Sequence, residues 1–165
     1  DLIGEIDAAG TAGQIGPTRD YWVSGLSARN KAPGAMATVT AASAAIPEPR
    51  LTASQTTSLG APGPTGYVEQ NETWTEGPLP PPSENASIAL TNVATITVDA
   101  IAAGLGCATL TAQTDGPTAL TLTGLKPGSA VYEKDGKVST AGGSGTSSIT
   151  LSAGKNLVTF CSVKS

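Results

Sequence analysis

The chain has 165 residues, of which 39% are hydrophobic, 13% are charged and none is histidine, and its formal net charge is −4. The length is sufficient for one domain with a substantial core. Disordered chains are usually highly charged, so the low charge of this chain favours a folded protein. The acidic balance argues against nucleic acid as a partner, and no apolar run approaches the roughly 20 residues of a membrane-spanning helix.

In chain order, the first segment, residues 1–34, is rich in glycine, and its apolar residues are too sparse for helix or strand periodicity. We expect it to be an extended, irregular N-terminal arm. Its only strongly apolar cluster is Tyr21-Trp22-Val23. Residues 35–165 are predicted to form a β-sandwich domain.

The first part of this domain predicts weak strands. A strand is expected over residues 36–41, where the β-branched run Thr38 to Thr40 disfavours the alternative of a helix over residues 34–46. Further weak strands are expected over residues 51–59 and 67–74. The proline-rich residues 78–82 predict a stiff polyproline II spacer.

From residue 86 onward the strand pattern is clear, because apolar and small polar residues alternate. The phase slips between Leu90 and Val93, which predicts a bulge or corner at Asn92. An Asp-Gly turn predicts a hairpin over residues 131–138. The strands expected in this stretch, residues 86–163, are 87–91, 94–99, 107–112, 119–123, the hairpin strands, 147–151 and 157–161. The fold class is therefore all-β: an antiparallel β-sandwich, immunoglobulin-like or jelly-roll-like, with the irregular N-terminal region attached.

Several features predict an extracellular or cell-surface location. The two cysteines, Cys107 and Cys161, permit one disulfide. Two sequons predict N-glycans on Asn71 and Asn85. The chain begins at Asp1, as a secreted protein would after removal of its signal peptide.

The residue inventory disfavours catalysis. Without histidine, the commonest general base and the usual partner of Ser and Cys nucleophiles are missing. The carboxylates are expected to be solvated loop residues. Calcium ligation is an alternative for the aspartates of the second half, but the Asp-Gly pairs among them are explained by turns. Asp99, Asp115 and Asp135 are the aspartates concerned. We therefore predict no catalytic residue, no metal site and no cofactor.

The aromatic residues offer a possible glycan-binding surface, because exposed Trp and Tyr rings stack on sugars. Trp22 and Trp74 are the candidates, and Trp74 lies three residues from Asn71, where a glycan would be placed to stack on it. The alternative is that both rings are buried anchors that pin irregular segments onto the sandwich.

The last eighty residues resemble the C-terminal β-sandwich modules appended to secreted polysaccharide-active enzymes. The likeness is carried by Ala94-Thr95-Ile96-Thr97-Val98-Asp99, by Thr114-Asp115-Gly116-Pro117, by Leu120 to Gly128 and by Ile149 to Lys155. The resemblance covers about half of the chain and implies a fold rather than an activity, since such modules contain no catalytic residues.

Three functions remain open. The preferred one is a non-catalytic structural subunit of an extracellular surface assembly (filament, sheath, layer or adhesin), with copies of itself as partners through β-strand or arm contacts. The alternative is a carbohydrate-binding or spacer module of a secreted enzyme, with a glycan as partner. The least favoured is a small secreted enzyme.

Overall fold

The computed structural model describes residues 21–32, 34–60, 63–133 and 136–163, and these residues form strands and connecting turns without a helix. The strands are β1 (Val23–Ala28), β2 (Thr38–Ser43), β3 (Leu51–Leu59), β4 (Val68–Glu76), β5 (Asn85–Thr91), β6 (Val93–Asp99), β7 (Cys107–Thr114), β8 (Thr118–Thr123), β9 (Ala130–Glu133), β10 (Gly136–Thr140), β11 (Ser147–Leu151) and β12 (Gly154–Cys161). The all-β prediction is confirmed.

Ten of these strands form two sheets of one compact unit. One sheet has the order β1-β6-β8-β11 and the other the order β10-β9-β12-β7-β5-β2. Among the described residues, the remaining two strands, β3 and β4, pair only with each other, and residues 47–81 that contain them form a compact unit of their own.

The sheets are mixed rather than purely antiparallel, because the chain crosses repeatedly from one sheet to the other. β5 and β7 lie in the six-stranded sheet, while β6 and β8 lie in the four-stranded sheet. After β5 the chain runs through β6 in the opposite sheet and returns as β7, beside β5 and in the same direction. It likewise runs from β6 through β7 and returns as β8 beside β6. The pairs β5–β7 and β6–β8 are consequently parallel.

The core lies between the two sheets, and the alternation seen in the sequence explains it. The inward residues of β6 and β8 are Ile96, Val98, Leu120 and Leu122, and all four are almost completely buried. The six-stranded sheet contributes large side chains such as Phe160, which is also fully buried. β12 is an interior strand of its sheet, between β7 and β9.

The corner predicted at Asn92 exists and joins the two sheets. Asn92 adopts a left-handed conformation (φ 57°) between β5 and β6. Its side-chain amide donates to the carbonyl oxygens of Asn30 and Met36 at 3.0 and 3.1 Å, and its Oδ1 accepts from the backbone N–H of Asn30 at 2.7 Å. The corner therefore fixes the chain that follows β1.

The domain limits differ from those expected from the sequence at two places. Residues 23–28, expected in the arm, form β1, which pairs with β6. Residues 47–81, expected within the sandwich domain, form the separate two-stranded unit. The first twenty residues of the expected arm lie outside the described part of the chain.

Candidate functional site

The β3–β4 pair, which we call the ribbon, is regular along its whole length. All nine residues of β3 pair with all nine of β4, without a bulge or shift in register. One end is closed by a hydrogen bond from the Gly77 N–H to the Arg50 carbonyl oxygen at 2.7 Å, and the other by one from the Gly60 N–H to the Tyr67 carbonyl oxygen at 3.0 Å. The ribbon is therefore a regular antiparallel hairpin.

The two faces of the ribbon differ in polarity, since successive residues of a strand point to opposite faces. The tryptophan face comprises Leu51, Ala53, Gln55, Thr57, Leu59, Val68, Gln70, Glu72, Trp74 and Glu76. The sequon face comprises Thr52, Ser54, Thr56, Ser58, Glu69, Asn71, Thr73 and Thr75. All the apolar side chains of the two strands thus lie on the tryptophan face.

The tryptophan face is exposed within the described residues. Leu59 is 88% exposed and Trp74 is 60% exposed, and Leu51 and Val68 are similarly open. A two-stranded hairpin is at best marginally stable by itself in water. The ribbon therefore carries apolar area that a partner surface would cover favourably.

The outer edges of the ribbon differ in charge. β3 contains no charged residue, no proline and no glycine, whereas β4 contains Glu69, Glu72 and Glu76. No strand among the described residues pairs with the outer edge of either. An unpaired strand edge of this length exposes a row of backbone N–H and C=O groups, which other strands can extend.

The structure separates the two tryptophans. Trp22 is only 3% exposed and packs in the core beside Val23, so it presents no ring face to a sugar. The stacking hypothesis is therefore wrong for Trp22, which is a buried anchor. Trp74 remains open to solvent on the ribbon.

Both predicted glycan sites are exposed, but a glycan on Asn71 is not placed to stack on Trp74, as the sequence had suggested. Asn71 lies on the sequon face of the ribbon, opposite Thr56. Because Asn71 and Trp74 are an odd number of positions apart, they point to opposite faces, so a glycan on Asn71 would extend away from the Trp74 ring. Asn85 begins β5 at the surface of the sandwich, near the Ser83 hydroxyl.

The two cysteines form a disulfide, as the sequence permitted. Cys107 begins β7 and Cys161 ends β12, and the two residues are direct partners in the antiparallel register. Cys107 is exposed, so the bridge lies on the outer side of the six-stranded sheet and joins neighbouring strands.

The carboxylates do not converge. Glu72 and Glu76 lie on the tryptophan face and Glu69 on the sequon face. The Glu84 carboxylate instead accepts a hydrogen bond from the backbone N–H of Gly106 at 2.5 Å. Across the described part of the chain, no three acidic or cysteine side chains are grouped so that they could hold a metal ion. Of the aspartates weighed as calcium ligands, Asp115 is bound by Arg29, and Asp135 lies outside the described residues.

Comparison with known proteins finds no matching family model, no matching curated protein and no matching solved structure. The resemblance to modules of polysaccharide-active enzymes thus stays a prediction. A search of the described residues for a helix long and apolar enough to cross a membrane found none.

Proposed function

We propose that this chain is a non-catalytic structural protein of an extracellular surface assembly, such as a filament, sheath, layer or adhesin, and that copies associate through β-strand contacts of the ribbon. The observation that carries the proposal is the ribbon itself. It is a regular nine-pair hairpin with an exposed apolar face and an uncharged edge, formed as a unit separate from the sandwich.

The disulfide supports the extracellular part of the proposal, because disulfides persist mainly in oxidising compartments. The two exposed sequons are consistent with the same location. The hydroxyl-rich surface of the sandwich suits a building block that is packed beside many neighbours, since it carries few charges that would repel a second copy.

The test is to remove the ribbon and measure assembly. The chain enters and leaves the ribbon side by side, because the Ser83 N–H donates to the Ala44 carbonyl oxygen and the Ala44 N–H donates to the Asn85 carbonyl oxygen, both at 2.9 Å. Residues 47–81 can therefore be replaced by a short Gly-Ser linker without moving the strands of the sandwich. We expect the full chain to form large species in light scattering and electron microscopy, and the shortened chain to be a monomer with a cooperative thermal transition.

A milder pair of variants serves as a control on the full chain. Leu59→Ser removes an exposed apolar side chain from the tryptophan face, whereas Thr56→Ser changes the sequon face and leaves the apolar area intact. We expect only Leu59→Ser to weaken assembly. A full chain that stays a monomer of 16.3 kDa at all concentrations would contradict the proposal.

A second function, glycan binding by a spacer or carbohydrate-binding module, is favoured by the exposure of Trp74. This reading predicts binding on a glycan array that Trp74→Ala abolishes, because the indole ring would be the stacking platform. Trp22→Ala is unsuitable as a comparison, since it would open a cavity in the core. Val68→Ala is a matched control on the same face, and equal binding by the parent and Trp74→Ala would count against this function.

A further inference from the structure

The ribbon has one edge that suits a specific partner. We infer that the outer edge of β3 pairs with β3 of a second copy, antiparallel, about a two-fold axis through Gln55. This inference rests on the proposed function and specifies one of its contacts. It would produce a four-stranded sheet with the order β4-β3-β3-β4 from two ribbons.

The sequence of β3 is self-complementary in this arrangement. Its residues read Leu-Thr-Ala-Ser-Gln-Thr-Thr-Ser-Leu from 51 to 59. Antiparallel pairing about Gln55 places Leu51 opposite the second Leu59 and Gln55 opposite its own copy. The remaining opposed pairs are Thr52 with Ser58, Ala53 with Thr57, and Ser54 with Thr56. Leucine thus meets leucine, glutamine meets glutamine and hydroxyl side chains meet hydroxyl side chains, and only Ala53 with Thr57 differs in polarity. A two-fold contact requires such self-matching of one surface.

The register also preserves the two faces. Every opposed pair joins residues of the same parity, so the tryptophan faces of both ribbons lie on one side of the combined sheet. In a single ribbon the apolar residues are split into two groups by Gln55, Thr57, Gln70 and Glu72. In the pair, Leu59 of one copy lies directly opposite Leu51 of the other. Val68 and Leu59 of one copy therefore continue into Leu51, Ala53 and Trp74 of the other. Two continuous apolar clusters result, which gives the pairing a hydrophobic contribution in addition to its hydrogen bonds.

The outer edge of β4 is unsuited to the same pairing. Antiparallel pairing of β4 with its copy about Glu72 would place two carboxylates directly opposite each other, and like charges in that position are destabilising. The Asn71 sequon lies on this strand as well, so a glycan there would hinder approach from the β4 side. The charge and the sequon thus direct association to β3.

Three of the four edge strands of the sandwich have features that β3 lacks. β1 has two register shifts in its pairing with β6, and Gly25 within it adopts φ 62°. β10 has a register shift against β9, and β11 has only five residues. Bulges and short lengths are the usual ways in which proteins prevent edge strands from pairing. The fourth edge strand, β2, is also regular and uncharged, but it has six residues against the nine of β3.

A charge exchange at the proposed axis tests the inference. Within the ribbon Gln55 lies opposite Glu72, so the exchange is made in the Glu72→Gln background, which should associate like the parent chain. There Gln55→Lys and Gln55→Glu each place two like charges opposite each other in a pair of identical copies, so each variant alone should lose that association. An equimolar mixture should regain it, because a Lys then faces a Glu. Gln70→Lys and Gln70→Glu are the matched controls: Gln70 is the same residue type on the same face, but lies on β4, and these variants should associate like the parent alone and mixed.

Crosslinking gives a second readout on the full chain. Residues directly opposite in an antiparallel pair have Cβ atoms near enough for a disulfide. We expect Gln55→Cys to yield a covalent dimer on a non-reducing gel, and Glu72→Cys, which would report a pairing through β4, to yield none.

The outcomes separate this inference from the proposed function. If the parent chain is monomeric, both fail. If the parent assembles and the Gln55 charge variants assemble equally well, or if their mixture is not restored, the two-fold contact is overturned while assembly stands. Crosslinking through Glu72→Cys but not Gln55→Cys would likewise overturn it in favour of the opposite edge.

Discussion

At the scale of single residues, one charged pair holds the first strand of the sandwich to the rest of the unit. The Arg29 guanidinium contacts Asp115 Oδ1 at 3.2 Å and donates to the carbonyl oxygens of Val93 and Pro117 at 3.0 and 3.2 Å. Asp115 in turn accepts from the Asn92 N–H at 2.9 Å. This network links the end of β1, the corner after β5 and the turn after β7.

The network makes stability depend on pH. Partial burial raises the pKa of Asp115, but the hydrogen bonds from Asn92 and Arg29 and the charge of Arg29 outweigh it, so the pKa lies below its usual value of 3.8. A carboxyl with a lowered pKa in the folded state stabilises the fold above its unfolded pKa, and this contribution disappears as the pH falls through the folded pKa.

We therefore expect Asp115→Asn to lower the thermal midpoint at pH 7, and we expect this difference from the parent chain to shrink as the pH falls below 3.8. The two side chains are 33% and 43% exposed, so solvent screening limits the ion-pair contribution to about 1 kcal/mol or less. Differential scanning fluorimetry across this pH range measures the difference. Asp99→Asn, which replaces an aspartate outside this network, is the control. A constant difference between Asp115→Asn and the parent at all pH values would contradict the assignment.

At the scale of elements, the alternation of apolar and polar residues predicted the bounds of strands better than it predicted which strands are neighbours. The strand expected over residues 51–59 has those bounds in the structure, and that over residues 67–74 is found at Val68–Glu76. Both are regular because no glycine, proline or bulge interrupts them. Sequence alternation does not reveal, however, that the two strands belong to a unit separate from the sandwich. In these strands, exposed Thr and Ser occupy the positions that core residues would fill in a strand of the sandwich.

Two other elements show why the remaining topology could not be predicted. Alternation did not predict β1, because Gly25 and small polar residues interrupt the pattern. Glycine is required at position 25, since a Cβ there would lie 2.7 Å from Thr97 Oγ1. The parallel pairs were missed because short connections usually join antiparallel neighbours, whereas here they cross between sheets. The candidate contact at β3 could be recognised from its self-complementary sequence only once the strand bounds and the unpaired edge were known.

At the scale of the whole molecule, the disulfide contributes to stability, and the association that we propose lies on the ribbon. The bridge joins residues 54 positions apart, and the loop that it closes contains β7 to β12, which supply strands to both sheets. Closing a loop of this length is worth about 4 kcal/mol in the chain-entropy model. The ribbon, at residues 47–81, lies outside the loop.

This division predicts that losing the bridge weakens the fold without abolishing association. We expect the double variant Cys107→Ser/Cys161→Ser to unfold at a thermal midpoint lower by on the order of 10 °C, because the unfolded chain regains loop entropy. Below that midpoint it should form the same species as the parent in light scattering, since the tryptophan face and the β3 edge are unchanged. Reduction of the parent chain by dithiothreitol should reproduce the lowered midpoint, and alkylation should add mass at both cysteines. If the double variant stays folded by circular dichroism yet no longer associates, the contact between copies depends on the bridged side of the six-stranded sheet, and the assignment of association to the ribbon is wrong.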